Sequence, residues 1–299
     1  MIITKSGKIS DRILLLGVKE SSVYILKGED EYAFLGGGMV HIVPEIIEQL
    51  KDFKIEEEKI KRIIILHSHF DHCGIVPFLK KRWPWAKITA SQRAKELLAA
   101  PNVIEIIKFM NQTLLKEVGR EDQAKDLGLE FSGINVEEVV KDNDILLCGD
   151  LSIKIIEVPG HSSCSIAAYV TEERAMFGSD AGGIPFGDQV FTCANSNFDK
   201  YQESLKKMAE YEIDVYLAEH YGARTGKDAN SFLKRSIDFA NEARAILEAS
   251  YARTKDVKKS TEEITDMLME NSPDDFLHRD IIALVTGQML KYISRQKAK

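Results

Sequence analysis

The sequence predicts a mixed α/β body over residues 1–226 followed by a helical extension over residues 227–299. Up to residue 226, short apolar runs bounded by turn residues alternate with segments whose apolar residues recur at helical spacing. From Lys227 onward only helical patterns remain. The length of 299 residues suits one large domain with a smaller appendage.

The predicted strands are apolar-rich runs that end at glycine, lysine or acidic residues. They are Arg12–Gly17, Ser22–Lys27, Glu31–Leu35, Ile63–Leu66, Lys87–Ala90, Val136–Val140, Ile145–Cys148, Leu151–Val158, Ser165–Val170, Arg174–Gly178 and Ile213–Ala218. The segment Gly36-Gly37-Gly38 ends the third run. The run at 63–66 is wholly apolar, which is typical of a strand buried on both faces.

Helices are predicted where apolar residues stand three and four positions apart. In the body they are Ile42–Phe53, the residues after Gly74 through Arg82, a helix capped by Ser91 and ending at Ala99, and Phe198–Tyr211; the region from about Asn102 to Leu127 is also expected to be helical. In the extension they are Ser231–Ala252, Thr261–Glu270 and Asp275–Ser294. The segment Ser260-Thr261-Glu262-Glu263 predicts the cap of the second of these. The last helix is expected to bury one face, with Leu277, Ile281, Leu284, Val285 and Met289.

The overall composition narrows the classes of partner. The formal net charge of −7 lacks the basic footprint of nucleic-acid binding, so we expect no nucleic-acid partner. No run approaches the roughly 20 apolar residues of a membrane span, and the first residues do not resemble a secretory signal. Four cysteines without a CxxC pair indicate free buried thiols in a reducing compartment. We therefore expect a cytoplasmic protein that acts on a small molecule and binds no membrane. The composition leaves open whether the protein is a monomer or a homodimer.

The segment His67-Ser68-His69-Phe70-Asp71-His72 predicts a metal site. It holds three of the seven histidines and follows a buried strand, where a rigid scaffold can direct several side chains to one point. His67 and His69 are two positions apart, so an extended backbone directs both to one side. Asp71 and His72 follow after the chain turns and can face a second point. A hydrogen-bonded histidine patch is the alternative, and this density of ligands at a strand end argues against it.

Three further segments place a ligand type at the end of a strand. They are Pro159-Gly160-His161, Gly178-Ser179-Asp180 and Glu219-His220. Each by itself is also typical of an ordinary solvated loop. Imidazole and carboxylate are donors that zinc, iron and manganese accept. His41, in the turn before a helix, and His278, on a solvated helix face, are expected to lie outside the site.

In this order the segments resemble the signature of the metallo-β-lactamase superfamily, over residues 10–226. The resemblance implies a four-layer αβ/βα sandwich, with two facing sheets and helices outside. It also implies two divalent ions, zinc or iron, with manganese left open. By position, one ion would take His67, His69 and His161, the other would take Asp71, His72 and His220, and Asp180 would bridge them. Asp71 would also orient the attacking hydroxide and is the implied catalytic residue.

Within the superfamily, the sequence departs from several branches. It has neither the cysteine that true β-lactamases usually carry at the position of Asp180 nor the glutamate that flavodiiron proteins carry at His69. It has no room for the large β-CASP insertion, and its acidic balance argues against the basic arm of tRNA-processing nucleases. The sequence is more similar to glyoxalase II and acyl-thioester hydrolases, whose helical C-terminal region matches residues 227–299.

The likeness is strongest to the 2-aminobenzoylacetyl-coenzyme A thioesterases of quinolone-signal biosynthesis. It includes Asp71-His72-Cys73-Gly74 and Pro77-Phe78-Leu79, and the resemblance implies hydrolysis of a thioester by metal-bound hydroxide. It also includes Gly36-Gly37-Gly38 where most of the superfamily has an Asp-Thr-Gly-like turn. That departure removes one carboxylate that commonly supports the metal ligands.

Other functions stay open beside thioester hydrolysis. The same metal site would serve a phosphodiesterase or a lactonase, and a regulatory protein could keep the fold while acting through its helical extension. Arg224 and Lys227 are candidates for binding a substrate carboxylate or phosphate, and Tyr221 is a candidate for lining the pocket. For the cations, an ordinary role at the protein surface is the competing interpretation. The extension is expected to cap the active site.

Overall fold

The computed structural model describes residues 1–272 and 276–297, and the chain forms two compact units. Unit 1 comprises Met1–Glu157, Cys164–Ser179 and Glu212–Asn230. Unit 2 comprises Val158–Ser163, Asp180–Tyr211 and the described residues from Ser231 onward. The domain boundary expected between residues 226 and 227 stays a prediction. Asp275, the expected start of the last helix, lies outside the described residues.

The strands of the described residues form two seven-stranded sheets in unit 1 and a hairpin in unit 2. The strands are β1 Ile2–Ile3, β2 Gly7–Lys8, β3 Ile13–Val18, β4 Ser21–Lys27, β5 Tyr32–Leu35, β6 Ile60–Ile64, β7 Lys87–Ser91, β8 Glu138–Val140, β9 Ile145–Cys148, β10 Leu151–Glu157, β11 Ile166–Val170, β12 Ala175–Phe177, β13 Ile184–Phe186, β14 Gln189–Phe191, β15 Val215–Leu217 and β16 Ala223–Thr225. The first sheet has the order β2-β3-β4-β5-β6-β7-β8, and the second has the order β1-β16-β15-β12-β11-β10-β9. Strands β13 and β14 form the hairpin.

The helices divide between the units. Those of unit 1 are α1 Val43–Asp52, α2 Val76–Arg82, α3 Gln92–Ala99, α4 Pro101–Glu117, α5 Glu121–Asp126 and α7 Lys227–Asn230. Those of unit 2 are α6 Phe198–Met208, α8 Phe232–Thr254, α9 Val257–Glu270 and α10 Arg279–Lys297. None of the helices described here combines the length and apolar character needed to cross a membrane.

The core of unit 1 follows from the alternation of side chains along its strands. In β4, Tyr24 and Leu26 belong to a buried cluster that includes residues of both sheets. The ring of Tyr24 lies 5.5 Å, between centroids, from the ring of Phe177 in β12 of the other sheet. Val23 and Ile25 point to the opposite face and join a second cluster with residues of α1 and α2. Because both faces of the first sheet are buried, β4 reads as a continuous apolar run.

A network of polar side chains links three helices within unit 2. Arg244 of α8 donates to Oδ1 of Asp199 in α6 at 2.6 Å. The hydroxyl of Tyr292 in α10 donates to Oδ2 of the same carboxylate at 2.8 Å. Asp199 therefore holds α6, α8 and α10 together through charge-assisted hydrogen bonds.

These observations confirm the predicted α/β class with C-terminal helices. Each predicted strand is present, with ends that differ by up to three residues, and β6 ends at Ile64 rather than directly at His67. Ser91 caps α3 as predicted, because its hydroxyl accepts from the backbone N–H of Ala94 at 3.1 Å. All four cysteines are free and buried, as expected.

The region predicted to be helical over 102–127 contains two helices, separated at Gly119, whose φ of +67° no continuous helix allows. Two predictions about the helices of the extension were wrong. Helix α9 begins at Val257 rather than Thr261, because Asp256 accepts from the N–H groups of Lys258 and Lys259 and supplies the cap. The helix expected from Asp275 begins among the described residues at Arg279, and Ile281 and Leu284 are exposed rather than buried. Its buried face carries Ile282, Val285, Thr286, Met289, Leu290 and Ile293.

Candidate metal centre

The segment after β6 brings three imidazoles close together. His69 has extended backbone, with φ of −70° and ψ of 152°, and the chain then turns through a 3₁₀ turn over Phe70–His72. The N–H of His72 donates to the carbonyl of His69 at 3.0 Å and closes this turn. The rings of His67 and His69 lie 4.7 Å apart and those of His67 and His72 lie 4.0 Å apart, between centroids. The turn therefore gathers three imidazoles within unit 1.

Asp71, His72 and His220 form a compact cluster of donor atoms in unit 1. The Nε2 atoms of His72 and His220 are 3.0 Å apart. The Oδ2 atom of Asp71 lies 3.4 Å from the first and 3.5 Å from the second. Ligands that coordinate zinc at ~2.0–2.2 Å are separated from one another by about this distance. The cluster thus has the dimensions of one face of a metal coordination sphere.

Contacts at the other ring nitrogen identify the tautomer of His220. Its Nδ1 atom is 2.7 Å from the carbonyl oxygen of Glu20. Because a carbonyl only accepts, Nδ1 carries the proton and Nε2 presents a lone pair. The Nδ1 atom of His72 lies 3.1 Å from the Glu219 carboxylate, whose negative charge favours a proton on Nδ1 of His72 as well. Two lone pairs then face each other beside a carboxylate, an arrangement that a cation stabilises.

The carboxylate of Asp71 is held in its charged form. Burial by itself would raise its pKa. When the rings of His72 and His220 are protonated, their charges and hydrogen bonds outweigh that effect and lower the pKa of Asp71 well below its usual value. With the neutral tautomers described above, a bound cation would take over this role. Asp71 is therefore an anionic ligand at neutral pH.

A second cluster lies within unit 2 and contains His161, Asp180 and Cys193. The Nδ1 atom of His161 lies 2.8 Å from the carbonyl oxygen of Cys193, so this ring also carries its proton on Nδ1. Its Nε2 atom lies 3.5 Å from Oδ2 of Asp180. A lone pair again faces a carboxylate oxygen, and a bound divalent ion would satisfy both.

Gly160 explains how the Pro159-Gly160-His161 loop reaches its position in unit 2. Its φ is +135°, a conformation that side chains other than glycine rarely adopt. Its carbonyl accepts the N–H groups of Ser196 and Asn197, both at 3.0 Å. A Cβ atom at this position would lie 2.3 Å from the backbone N and Cα of Tyr201. The loop can approach the start of α6 only because residue 160 is glycine.

Three further residues near the predicted ligands have contacts that the sequence did not predict. Glu219 is 2% exposed and approaches His72. The Oγ atom of Ser179 lies 3.2 Å from the Nδ1 atom of His67. Both stand next to predicted ligands, and a carboxylate at the end of a buried strand was the available signal. Cys193 joins the unit 2 cluster through a hydrogen bond from its thiol to the carbonyl of Asp180 at 3.2 Å.

The remaining predicted residues have contrasting environments. Arg224 is 1% exposed in β16 and Tyr221 is 4% exposed, so neither offers much surface to a substrate. Lys227 is exposed at the start of α7. His278 is exposed, and His41 lies in the 3₁₀ turn before α1, where burial lowers its pKa. Within the described residues, neither His41 nor His278 belongs to a cluster of metal donors, as expected.

Comparison with known proteins defines the class to which this fold and these clusters belong. The family model of the metallo-beta-lactamase superfamily matches residues 16–220, and the chain belongs to this superfamily. The crystal structure of the metallo-beta-lactamase family protein TTHA1429 from Thermus thermophilus is similar to the whole chain. Its TM-score is 0.71 at 16% identity, covering 97% of this chain and 95% of that one.

Two curated relatives have named activities. A hydroxyacylglutathione hydrolase of Prochlorococcus marinus is 26% identical over 220 residues, which cover 69% of this chain and 70% of the relative. The human acyl-coenzyme A thioesterase MBLAC2 is 20% identical over 169 residues, covering 54% of this chain and 57% of the relative.

Proposed function

We propose that this protein is a dinuclear-metal hydrolase of thioesters, with an acyl-coenzyme A-like or glutathione-like substrate. The observation that carries the proposal is the convergence of lone pairs and carboxylates in the two clusters described above. The proposed ligands are His67, His69 and His161 for one ion, Asp71, His72 and His220 for the other, and Asp180 between them. The ions are zinc or iron, and manganese suits the same donors.

The side chains prepare the site for these ions. Backbone carbonyls hold the Nδ1 protons of His161 and His220, so both rings present Nε2 without a tautomeric change. Asp71 supplies negative charge and orients the nucleophile. When bound, the ions lower the pKa of a water molecule and polarise the substrate carbonyl.

The chemistry of the leaving group favours a thioester. In His67, His72, His161 and His220 the Nδ1 atom is engaged by a neighbouring group, and the proposal commits Nε2 to metal. These imidazoles are then not available as general acids. A thiolate, whose conjugate thiol has a pKa near 8.5, leaves with little help from an acid, unlike an alkoxide. The named activities of the two relatives, and the likeness to 2-aminobenzoylacetyl-coenzyme A thioesterases, support the same substrate class.

We also propose a cellular location and a class of partner for the enzyme. The formal charge of −7 and the four free buried thiols support a cytoplasmic enzyme of small molecules, without a nucleic-acid or membrane partner. Lys227 is the exposed candidate for the anionic part of the carrier, whereas contacts by Arg224 and Tyr221 would require them to become accessible. A homodimer stays open.

A substrate panel tests the proposed function. The metal-loaded protein is assayed with acyl-coenzyme A esters, S-lactoylglutathione, a lactone and bis-p-nitrophenyl phosphate. We expect hydrolysis of a thioester, abolished in His69→Ala and retained in the control His278→Ala, which removes an exposed histidine. Activity on the phosphodiester or lactone alone would replace thioester hydrolysis with that reaction. A protein that binds metal but hydrolyses none of these substrates would favour a regulatory role.

A further inference from the structure

We propose that Glu219 is a positioning residue that sets the tautomers of two metal-binding imidazoles. It acts directly on His72 and, through the hydroxyl of Ser179, on His67. This inference rests on the metal centre of the proposed function and assigns a role to a residue outside its ligand set. The carboxylate comes from the residue just before His220, so one short segment would supply both a ligand and the support of two others.

Burial and contacts place the Glu219 carboxylate behind the imidazoles. The residue is 2% exposed, and its backbone carbonyl accepts the N–H of Ser22 at 2.7 Å, which anchors the segment. Its Oε2 atom accepts a hydrogen bond from the Ser179 hydroxyl and lies 3.1 Å from Nδ1 of His72. The opposite atom of that ring, Nε2, faces Asp71 and His220. Glu219 thus contacts the edge of His72 that faces away from the ligand cluster.

The negative charge beside His72 and the hydrogen bond at His67 both favour a proton on the Nδ1 atom of the ring. A neutral imidazole that coordinates through Nε2 must carry its proton on Nδ1. A carboxylate beside Nδ1 of His72 selects that form. Since the hydroxyl of Ser179 donates to Glu219, its oxygen accepts from Nδ1 of His67 at 3.2 Å. The same carboxylate therefore selects the coordinating tautomer of both rings.

Gly36 makes room for this carboxylate. A Cβ atom at residue 36 would lie 2.6 Å from Oε1 of Glu219, and the φ of Gly36 is +91°. The glycine-rich turn after β5, which carries no carboxylate of its own, is thus the wall against which Glu219 packs. The Glu219 carboxylate can occupy its position only because residue 36 has no side chain.

The arrangement has an energetic consequence for the metal-free protein. A buried carboxylate is costly unless charge or hydrogen bonds compensate it. Within the described residues, Oε1 of Glu219 has no hydrogen-bond partner. Ions bound beyond His72 and His67 would supply compensating positive charge. Glu219 should therefore strengthen metal binding without stabilising the metal-free fold.

Zinc affinity tests the inference. The probe is Zn²⁺, with occupancy read by elemental analysis and affinity by competition with a chromophoric chelator. Glu219→Ala is expected to weaken both ions by about 10- to 100-fold, the range found for supporting partners of metal ligands. Glu219→Gln, which keeps the shape and removes the charge, should weaken both ions less. Ser179→Ala should weaken only the ion held by His67.

Tyr24→Phe is the matched control. It removes a buried hydroxyl that donates to the carbonyl of Ala218, in the same segment, but touches neither imidazole. We expect its zinc affinity to be unchanged, and we expect metal-free Glu219→Gln to unfold at the same or higher urea concentration than wild type.

The outcomes separate this inference from the proposed function. A wild-type protein that binds no zinc overturns the metal centre itself. If wild type binds two ions but the Glu219 and Ser179 variants bind them within about threefold of the Tyr24→Phe control, the positioning role is overturned alone. If Glu219→Ala does not fold, the two-ion loss in Glu219→Gln and the one-ion loss in Ser179→Ala decide the matter.

Discussion

Replacing Gly160 by alanine tests how the loop that carries His161 is built. The new methyl group would lie 2.3 Å from two backbone atoms of Tyr201, which belong to the first turn of α6. The backbone of α6 cannot retreat easily, because the N–H of Tyr201 donates to the carbonyl of Asn197 at 3.0 Å. Moving the loop instead would break the two hydrogen bonds that the Gly160 carbonyl accepts.

Two costs add in this variant. A side chain at φ of +135° brings backbone strain of about 1–3 kcal/mol, and forcing a methyl group into filled space costs about 1–3 kcal/mol more. The free energy of unfolding should therefore fall by about 2–6 kcal/mol, a large share of the ~5–15 kcal/mol of a typical protein. Gly187→Ala is the matched control in the same unit. Its φ is +54° and no described atom lies within 4 Å of the new Cβ, so only strain of about 1–2 kcal/mol remains.

Urea unfolding of the metal-free proteins, followed by circular dichroism, measures both changes. The loss of unfolded-state entropy on replacing glycine is common to the two variants and cancels in the comparison. We expect Gly160→Ala to be the less stable variant by at least about 1 kcal/mol. Equal stability of the two would refute the close approach of the loop to α6.

Two further predictions concern elements away from the metal centre. Asp256→Ala should lower the free energy of unfolding by about 0.5–2 kcal/mol because it removes the cap of α9. Asp256→Asn keeps a capping oxygen and should lower it much less. Equal losses in urea titrations of the two variants would exclude the cap. Burial alone would raise the pKa of Glu45, but two hydrogen bonds from Arg120 outweigh it and lower that pKa. Wild type should have a larger free energy of unfolding than Glu45→Gln. This difference should be fully present above about pH 4.5 and should disappear as the pH falls through the lower pKa that Glu45 has in the folded protein. A difference that does not depend on pH would contradict the ion pair.

The sequence predicted those parts of the site that depend on local geometry. His69 has the extended backbone that its spacing from His67 predicts, and the 3₁₀ turn that follows brings the ring of His72 to 4.0 Å from that of His67. The strands were predictable because their apolar runs end at turn residues. The same logic located Ser91 as a cap, where a serine stands directly before an apolar repeat.

Features that arise from tertiary contact were not predictable in this way. Nothing in the sequence indicates that Glu219 and Ser179 meet the imidazoles of a segment more than 100 positions earlier. The hairpin β13–β14 was missed because its strands are only three residues long and contain Pro185.

Competing local signals explain two errors in the extension. Asp256 caps α9 in place of Ser260, whose hydroxyl is instead buried against Oγ1 of Thr254 at 2.6 Å. In α10 the apolar residues surround more than one face, so spacing alone did not show that Ile282 is buried and Ile281 exposed. Packing within unit 2 determines which of these residues is buried.

The central claim is a centre of two divalent ions held by the ligands named above. Anomalous diffraction from crystals of the protein purified without added metal, combined with elemental analysis, tests it most directly. We expect two ions per chain, one coordinated by Nε2 of His72 and His220 with Asp71, and one coordinated by His67, His69 and His161, with Asp180 reaching both. Fewer than two ions, or coordination by other residues, would contradict it.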